Sequence, residues 1–232
     1  MTGIAVVPLI YVDTNGLLTL KEYQERAAGN TGTLYRERGL RYQSLLALCA
    51  TKGFRVATLS FTIVEMLAKY QSWKYYEKKI DERALYDEVF GGSKKALYQG
   101  ALEGSELLAV VTELDAWLST APVQGTVQLY PAGGIMAHTD WTLGFWEVTR
   151  LIYKYVAISA ADCLHVAAAV VMGADCFVSN DAELLRDVNA LYRMADFQAE
   201  AGNLLGVPLS EIRLRLDALN VKTALGVLAR IR

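Results

Sequence analysis

The sequence predicts an α/β protein whose parallel sheet is covered by helices on both faces, and three observations carry the prediction. Short apolar runs rich in β-branched residues alternate with helical stretches in the order strand, helices, strand, helices, strand, helix. The runs are continuous rather than alternating, as strands buried on both faces require. With 232 residues, 53% of them hydrophobic, the chain can bury a sizeable core as a single domain spanning 1–232. Within it, a helical elaboration is expected at about 71–155 and C-terminal helices at about 196–232.

The elements follow in order. Ile4–Val12 reads as a buried strand that ends abruptly at Asp13-Thr14-Asn15-Gly16, a helix start, with Pro8 awkward for a central strand. Residues 33–51 carry a broad apolar stripe and a basic face, closed by Gly53. Phe54–Leu59 is a second strand, followed by a helix from about residue 61 into the Tyr70 region. Leu102–Leu118 is helical, 120–137 is loop containing a short strand at Thr126–Tyr130, and helix resumes from Trp141 to Tyr155. Ser159 opens an Ala-rich helix that closes at Gly173, Asp175–Ser179 is a third strand, and Asp181 starts another helix.

Composition excludes several classes. The net charge of −2 gives no general attraction to nucleic acid, so binding must come from local patches. Residues 20–55 hold seven basic side chains against three acidic ones, with Arg36, Arg38 and Arg41 the phosphate-binding candidates; 204–232 hold five against two. Cys49, Cys163 and Cys176 are odd in number, widely spaced and set in apolar patterns, which suits core thiols rather than disulfides or a zinc site. The opening residues have no positive region, and their apolar run is too short for the roughly 20 residues a bilayer span needs, so a cytoplasmic protein without a membrane partner is expected.

Four acids stand where the chain changes type: Asp13 past the first strand, Glu65 early in the helix after the second, Asp162 in the first turn of the Ala-rich helix, and Asp181 past the third strand. In an open parallel sheet, ligands bind beyond the carboxyl ends of the strands, where connections returning to one edge would gather these groups. Such a cluster would repel itself when empty and would favour a hard cation, Mg²⁺ or Mn²⁺. Each acid also has an ordinary explanation. Thr62-x-x-Glu65 and Ser159-x-x-Asp162 have the form of capping boxes, and Asp13 and Asp181 that of N-caps. Capping and metal binding are compatible. His165, three residues after Asp162 on the same helical face, could support the site or touch a phosphate but reads first as an ordinary partly buried histidine, and Trp73-Lys74-Tyr75-Tyr76-Glu77-Lys78-Lys79 reads as a packed aromatic face with snorkelling lysines that is also compatible with base stacking.

Four blocks together resemble a PIN domain: Tyr11-Val12-Asp13-Thr14-Asn15-Gly16-Leu17-Leu18, the Ser60-to-Glu65 helix entry, Ala161-Asp162-Cys163-Leu164-His165-Val166-Ala167-Ala168-Ala169, and Gly173 through Leu184. The last two are the specific ones, and the likeness covers roughly 1–70 and 156–190. It implies a three-layer α/β/α fold and a Mg²⁺- or Mn²⁺-dependent endoribonuclease giving a 5′-phosphate and a 3′-hydroxyl. Asp13, Glu65, Asp162 and Asp181 take the family's acidic places, Ser179 that of its usual Thr or Ser, with Asn180 beside it and Asn15 in the first block. The family includes toxin ribonucleases, so the expected partners are RNA, an antitoxin protein and a second copy of the chain. Trp141, Phe145 and Trp146 would suit an interface, although core packing is the commoner fate of such residues. The competing readings are a non-catalytic RNA- or protein-binding scaffold and a structure-specific DNA nuclease.

Overall fold

The computed structural model describes residues 7–26, 33–81, 102, 104–119, 127–130 and 139–231. Its sheet has strands β1 (Leu9–Val12), β2 (Arg55–Leu59), β3 (Val127–Tyr130), β4 (Cys176–Val178) and β5 (Ala218–Leu219), all parallel, in the order β3-β2-β1-β4-β5. The helices are α1 (Thr14–Arg26), α2 (Thr33–Lys52), α3 (Phe61–Asp81), α4 (Gly104–Leu118), α5 (Thr139–Tyr155), α6 (Ala160–Val171), α7 (Ala182–Arg193), α8 (Ala195–Leu205), α9 (Leu209–Arg215) and α10 (Val221–Leu228).

Strand alternation sorts the core into two layers. Leu9, Tyr11, Ala57, Leu59 and Phe177 face one way, against Val148 and Ile152 of α5, the alanines of α6, Val188 of α7 and Phe197 of α8. Ile10, Val12, Val56, Cys176 and Val178 face the other, against Leu17 and Leu20 of α1, Leu45 and Cys49 of α2, Leu114 of α4 and Ala224 of α10. Every residue of β1 and β4 is buried, which explains their unbroken apolar runs.

Several expectations are refined. The first strand begins after Pro8, whose carbonyl accepts the Arg55 N–H at 3.0 Å, so the proline sits at the strand's entrance and removes no ladder donor; residues 4–6 lie outside the described residues. The short strand expected inside 120–137 pairs with β2 as the sheet's edge, in the register Val56↔Val127 to Leu59↔Tyr130. A strand unforeseen from sequence, β5, pairs with β4 at Phe177↔Ala218 and Val178↔Leu219. All three cysteines are buried and unbridged, and burial pushes the Cys49 and Cys163 thiols up to about 11. Among the described residues no helix is long and apolar enough to cross a membrane.

Connectivity fixes where a site can form. From β1 the chain works outward through β2 to β3, then returns across β1 to β4 and on to β5. The winding direction reverses between β1 and β4, so the helical crossovers diverge and leave a crevice at the carboxyl ends of these two strands. Asp13 is the first residue beyond β1 and Ser179 the first beyond β4, and the Asp13 N–H joins them by donating to the Val178 carbonyl at 3.1 Å.

Candidate active site at the switch point

Asp13 is only 3% exposed. Its Oδ1 accepts the Gly16 N–H at 2.8 Å, which caps α1, and its Oδ2 accepts the Ser179 hydroxyl. Gly16 is required by packing: a Cβ there would come within 2.5 Å of the Tyr42 ring and 2.8 Å of Val12. Burial pushes the Asp13 carboxyl up to about 6, although Ser179 and Gly16 donate to it and His165 and Lys69 lie near. Desolvation therefore outweighs everything that stabilises this charge.

Glu65, in the second turn of α3, is held by two donors. The Thr14 hydroxyl donates to its Oε2, and the same oxygen contacts His165 Nε2. Burial raises this carboxyl, but the His165 and Thr14 hydrogen bonds and the nearby positive charge of Lys69 win, holding it below the usual range. Thr62 does not cap α3 for Glu65. Its hydroxyl meets Thr58 at 2.8 Å and Thr14 at 3.4 Å, so the capping-box reading of Thr62-x-x-Glu65 is replaced by a threonine cluster beneath the site.

His165 is 2% exposed, and the sequence undervalued it. Tyr11 Oη accepts the Leu59 N–H at 3.0 Å and meets His165 Nδ1 at 2.6 Å. Glu65 Oε2, which can only accept, faces Nε2 and so places the neutral ring's N–H there, near Thr14 at 3.0 Å, which leaves Nδ1 to accept the Tyr11 hydroxyl. The helical interval to Asp162 was the available signal, and it shows a shared face but no partner. Lys69, four residues after Glu65, was also missed; it donates to Asn15 Oδ1 at 2.8 Å.

The other two acids stand at helix starts flanking the same edge. Asp181 is the N-cap of α7: its Oδ1 accepts the Glu183 and Leu184 N–H groups, each at 3.0 Å, and its own N–H donates to Ser179 Oγ at 3.0 Å. Ser179 thus joins Asp181's backbone to Asp13's carboxylate. Asp162 lies one turn before His165 on α6, with its Oδ2 accepting from the Ser159 hydroxyl at 2.6 Å and its N–H donating back at 3.2 Å. Because α6 precedes β4, its N-terminus sits at the carboxyl edge of the sheet. Asn180 Nδ2 is buried without a hydrogen-bond partner. Arg36 is exposed, Arg38 is half-buried near Tyr42, and Arg41 is 3.0 Å from Glu37; all three belong to α2 and touch none of the acids. Phe145 is core and Trp146 is exposed, while the side chain of Trp141 lies outside the described residues.

The donors suit an oxygen-seeking dication. Glu65 Oε1, Asp162 Oδ1 and Asp181 Oδ2 accept no hydrogen bond among the described residues, and Asp13 is a buried charge without a bonded cation. No three carboxylate, imidazole or thiol groups among the described residues are close enough to enclose one ion. The four acids expected to gather around a cation therefore border one edge of the sheet without forming an enclosed cation site. No protein-family model, curated protein or solved structure matches the chain.

Proposed function

We propose that the chain is a Mg²⁺- or Mn²⁺-dependent endoribonuclease of PIN-like architecture, acting in the crevice between β1 and β4. The observation that carries the reading is the pair of anionic termini at the switch point: Asp13 ends β1, Ser179 and Asp181 follow β4, and one serine hydroxyl bridges them. Glu65 joins through Thr14, the residue after Asp13.

The roles follow from these bonds. One or two of the carboxylates of Asp13, Asp162 and Asp181, with water and substrate phosphate, would hold the cation, which when bound would supply Lewis-acid stabilisation of phosphoryl oxygen and a more acidic water. Ser179 and Gly16 fix the Asp13 carboxylate, so its position does not depend on the ligand. Thr14 and His165 keep Glu65 ionised on Oε2 and leave Oε1 to accept a proton from the attacking water. Lys69 faces the same carboxylates and offsets their repulsion of a phosphate. The water oxygen bonds to phosphorus as the bond to the 3′-oxygen breaks. The 3′-oxygen takes its proton from solvent, leaving a 5′-phosphate and a 3′-hydroxyl.

End-labelled single-stranded RNA and DNA, incubated with EDTA, Mg²⁺ or Mn²⁺, test this. RNA cleavage should need the dication and fall at least about a hundredfold in Asp13→Asn. Cleavage unchanged by Asp13→Asn would remove the site from the reaction, cleavage of DNA alone would turn the enzyme into a DNA nuclease, and no cleavage with either metal would favour a binding scaffold.

A further inference from the structure

A groove lies along the seam between α1 and α3, one helical turn from Glu65. Asn15, Leu18 and Glu22 recur at helical spacing on α1, and Glu65, Lys69 and Trp73 on α3, so each set lies on one helix face. Between them is a cleft of about 440 Å³ lined by Leu18, Glu22, Ala68, Lys69, Ser72 and Trp73. Along α3 its lining runs from Ala68 to Trp73, about 7.5 Å at 1.5 Å per helical residue. Its walls are mixed in a particular way. Leu18 and Trp73 pack onto the Tyr70 cluster and give the cleft an apolar and an aromatic wall, Ser72 adds a hydroxyl, and the exposed ammonium of Lys69 stands where the cleft meets the acids. Trp73 is braced by Tyr70, with ring centroids 5.2 Å apart, and by Lys74, whose ammonium is 5.2 Å from the indole centroid.

We infer that this groove is a subsite for one unpaired nucleotide adjoining the scissile phosphate, with Lys69 on the backbone phosphate and the base lodged between Leu18, Ala68 and Trp73; the inference rests on the nuclease reading above. A flat aromatic base suits an apolar cleft with an aromatic wall, because every base presents a π face whatever its sequence. A phosphate approaching these carboxylates needs a cation beside it, and Lys69 lies close enough for its charge to act on both Asp13 and Glu65. Glu22 lies on the wall contributed by α1. A base held in a duplex stack cannot enter the cleft, so the subsite selects single strands.

Binding separates this inference from catalysis. In an Asp13→Asn background, which leaves the strand uncut, the affinity for a fluorescein-labelled single-stranded RNA octamer is measured by anisotropy against added salt. Trp73→Ala should weaken binding about tenfold and Trp73→Phe much less, since phenylalanine still stacks. Lys69→Ala should weaken it and lower the salt dependence by about one phosphate contact. Ala68→Trp should block the cleft; Ala68 and Lys69 are both exposed, so these two variants test the groove even if Trp73→Ala does not fold. The same octamer within a duplex should bind more than tenfold less tightly. Unchanged affinity in Ala68→Trp and Lys69→Ala, with RNA still cut by the chain carrying Asp13, overturns the subsite and leaves the nuclease standing. Absence of both RNA binding and cleavage overturns the two together.

Discussion

Lys21, within α1, and Asp13, which caps it, are both buried charges, and they are treated in opposite ways. Lys21 is 1% exposed and surrounded by compensation: it pairs with Glu25, lies 3.7 Å from Glu113, and its ammonium sits 4.2 Å over the Tyr70 ring. The Tyr70 hydroxyl in turn donates to Glu25 at 2.6 Å, so the cluster is closed by its own hydrogen bonds. Asp13 has two neutral donors, and no cationic side chain bonds to it. One buried charge is held by its neighbours, and the other is left without a cation to meet it. A charge fully met by its neighbours has nothing left to bind, whereas a buried carboxylate carrying a raised pKa retains attraction for a cation.

The largest effect should come from breaking the compensated cluster. Lys21→Met takes the buried cation from between Glu25 and Glu113, leaving Glu113 with Lys74 at 3.9 Å and Glu25 with an Oε2 that already lacks a hydrogen-bond partner. The remaining carboxylates are 21% and 44% exposed, so the loss should be about 2–3 kcal/mol, below that of a fully buried pair. Urea unfolding should show that loss while dication-dependent cleavage by the folded fraction is kept. A loss below about 1 kcal/mol would mean that the cluster tolerates the missing charge, and the contrast with Asp13 would lapse.

Removing the uncompensated charge should do the reverse. The Asp13 carboxyl is raised from 3.8 to about 6 in the folded chain, chiefly by burial. Between these values the folded state binds the proton that the unfolded state has released, so wild-type stability falls as pH rises from about 4 to about 6, then levels. The pH-dependent loss amounts to at most about 3 kcal/mol at 1.36 kcal/mol per unit. Asp13→Asn in EDTA should lack this part of the slope, so its stability relative to wild type grows over the same interval. Millimolar Mn²⁺ should stabilise wild type above pH 6 and leave Asp13→Asn unmoved. Parallel pH profiles for the two proteins would show that Asp13 is not the strained group.

Tyr11→Phe probes the join between core and site, with a smaller effect. The hydroxyl accepts the buried Leu59 N–H and directs His165 towards Glu65, so its removal strands a backbone donor at a cost of about 1–3 kcal/mol. It also leaves His165 Nδ1 without its donor, while Glu65, which can only accept, keeps the ring N–H on Nε2. Nitrogen chemical shifts of His165 in Tyr11→Phe should therefore move at Nδ1 and leave Nε2 protonated, a pattern that an ordinary packing defect would not produce. Loss of the proton from Nε2 would mean that Tyr11, and not Glu65, sets the tautomer.

Much of this was legible in the chain because it depends on local signals. The apolar run into Asp13-Thr14-Asn15-Gly16 announces a strand ending at an acid, and Ser159-x-x-Asp162 and Asp181 announce helix starts; all three sit where those signals put them. Strand order leaves no local trace, so the β1–β4 switch point that makes the edge a crevice had to come from tertiary pairing. The two residues of β5 are too few to show a period. Tyr11 reads as core because its ring is core, stacked on Phe177 at 5.5 Å, and only the fold brings its hydroxyl to His165, 154 positions away. Lys21 counts towards a basic segment in sequence, yet it is among the most buried side chains, so the positive balance of that segment overstates what a nucleic acid would meet.

The smallest effect is also the one that separates two roles carried by a single residue. Asp181 caps α7 through Oδ1 while its Oδ2 stays open towards the crevice. Asp181→Ala should cost about 1 kcal/mol from the lost cap, and Asp181→Asn only a few tenths, since asparagine accepts the same N–H groups equally well. A cap needs an oxygen, whereas a cation site needs a charge. Stability should therefore be restored by asparagine and Mn²⁺-dependent cleavage should not, with thermal melting and initial rates measured on the same preparations. If Asp181→Asn restores both, Asp181 is a helix cap that happens to border the crevice, and the anionic set contracts to Asp13, Glu65 and Asp162.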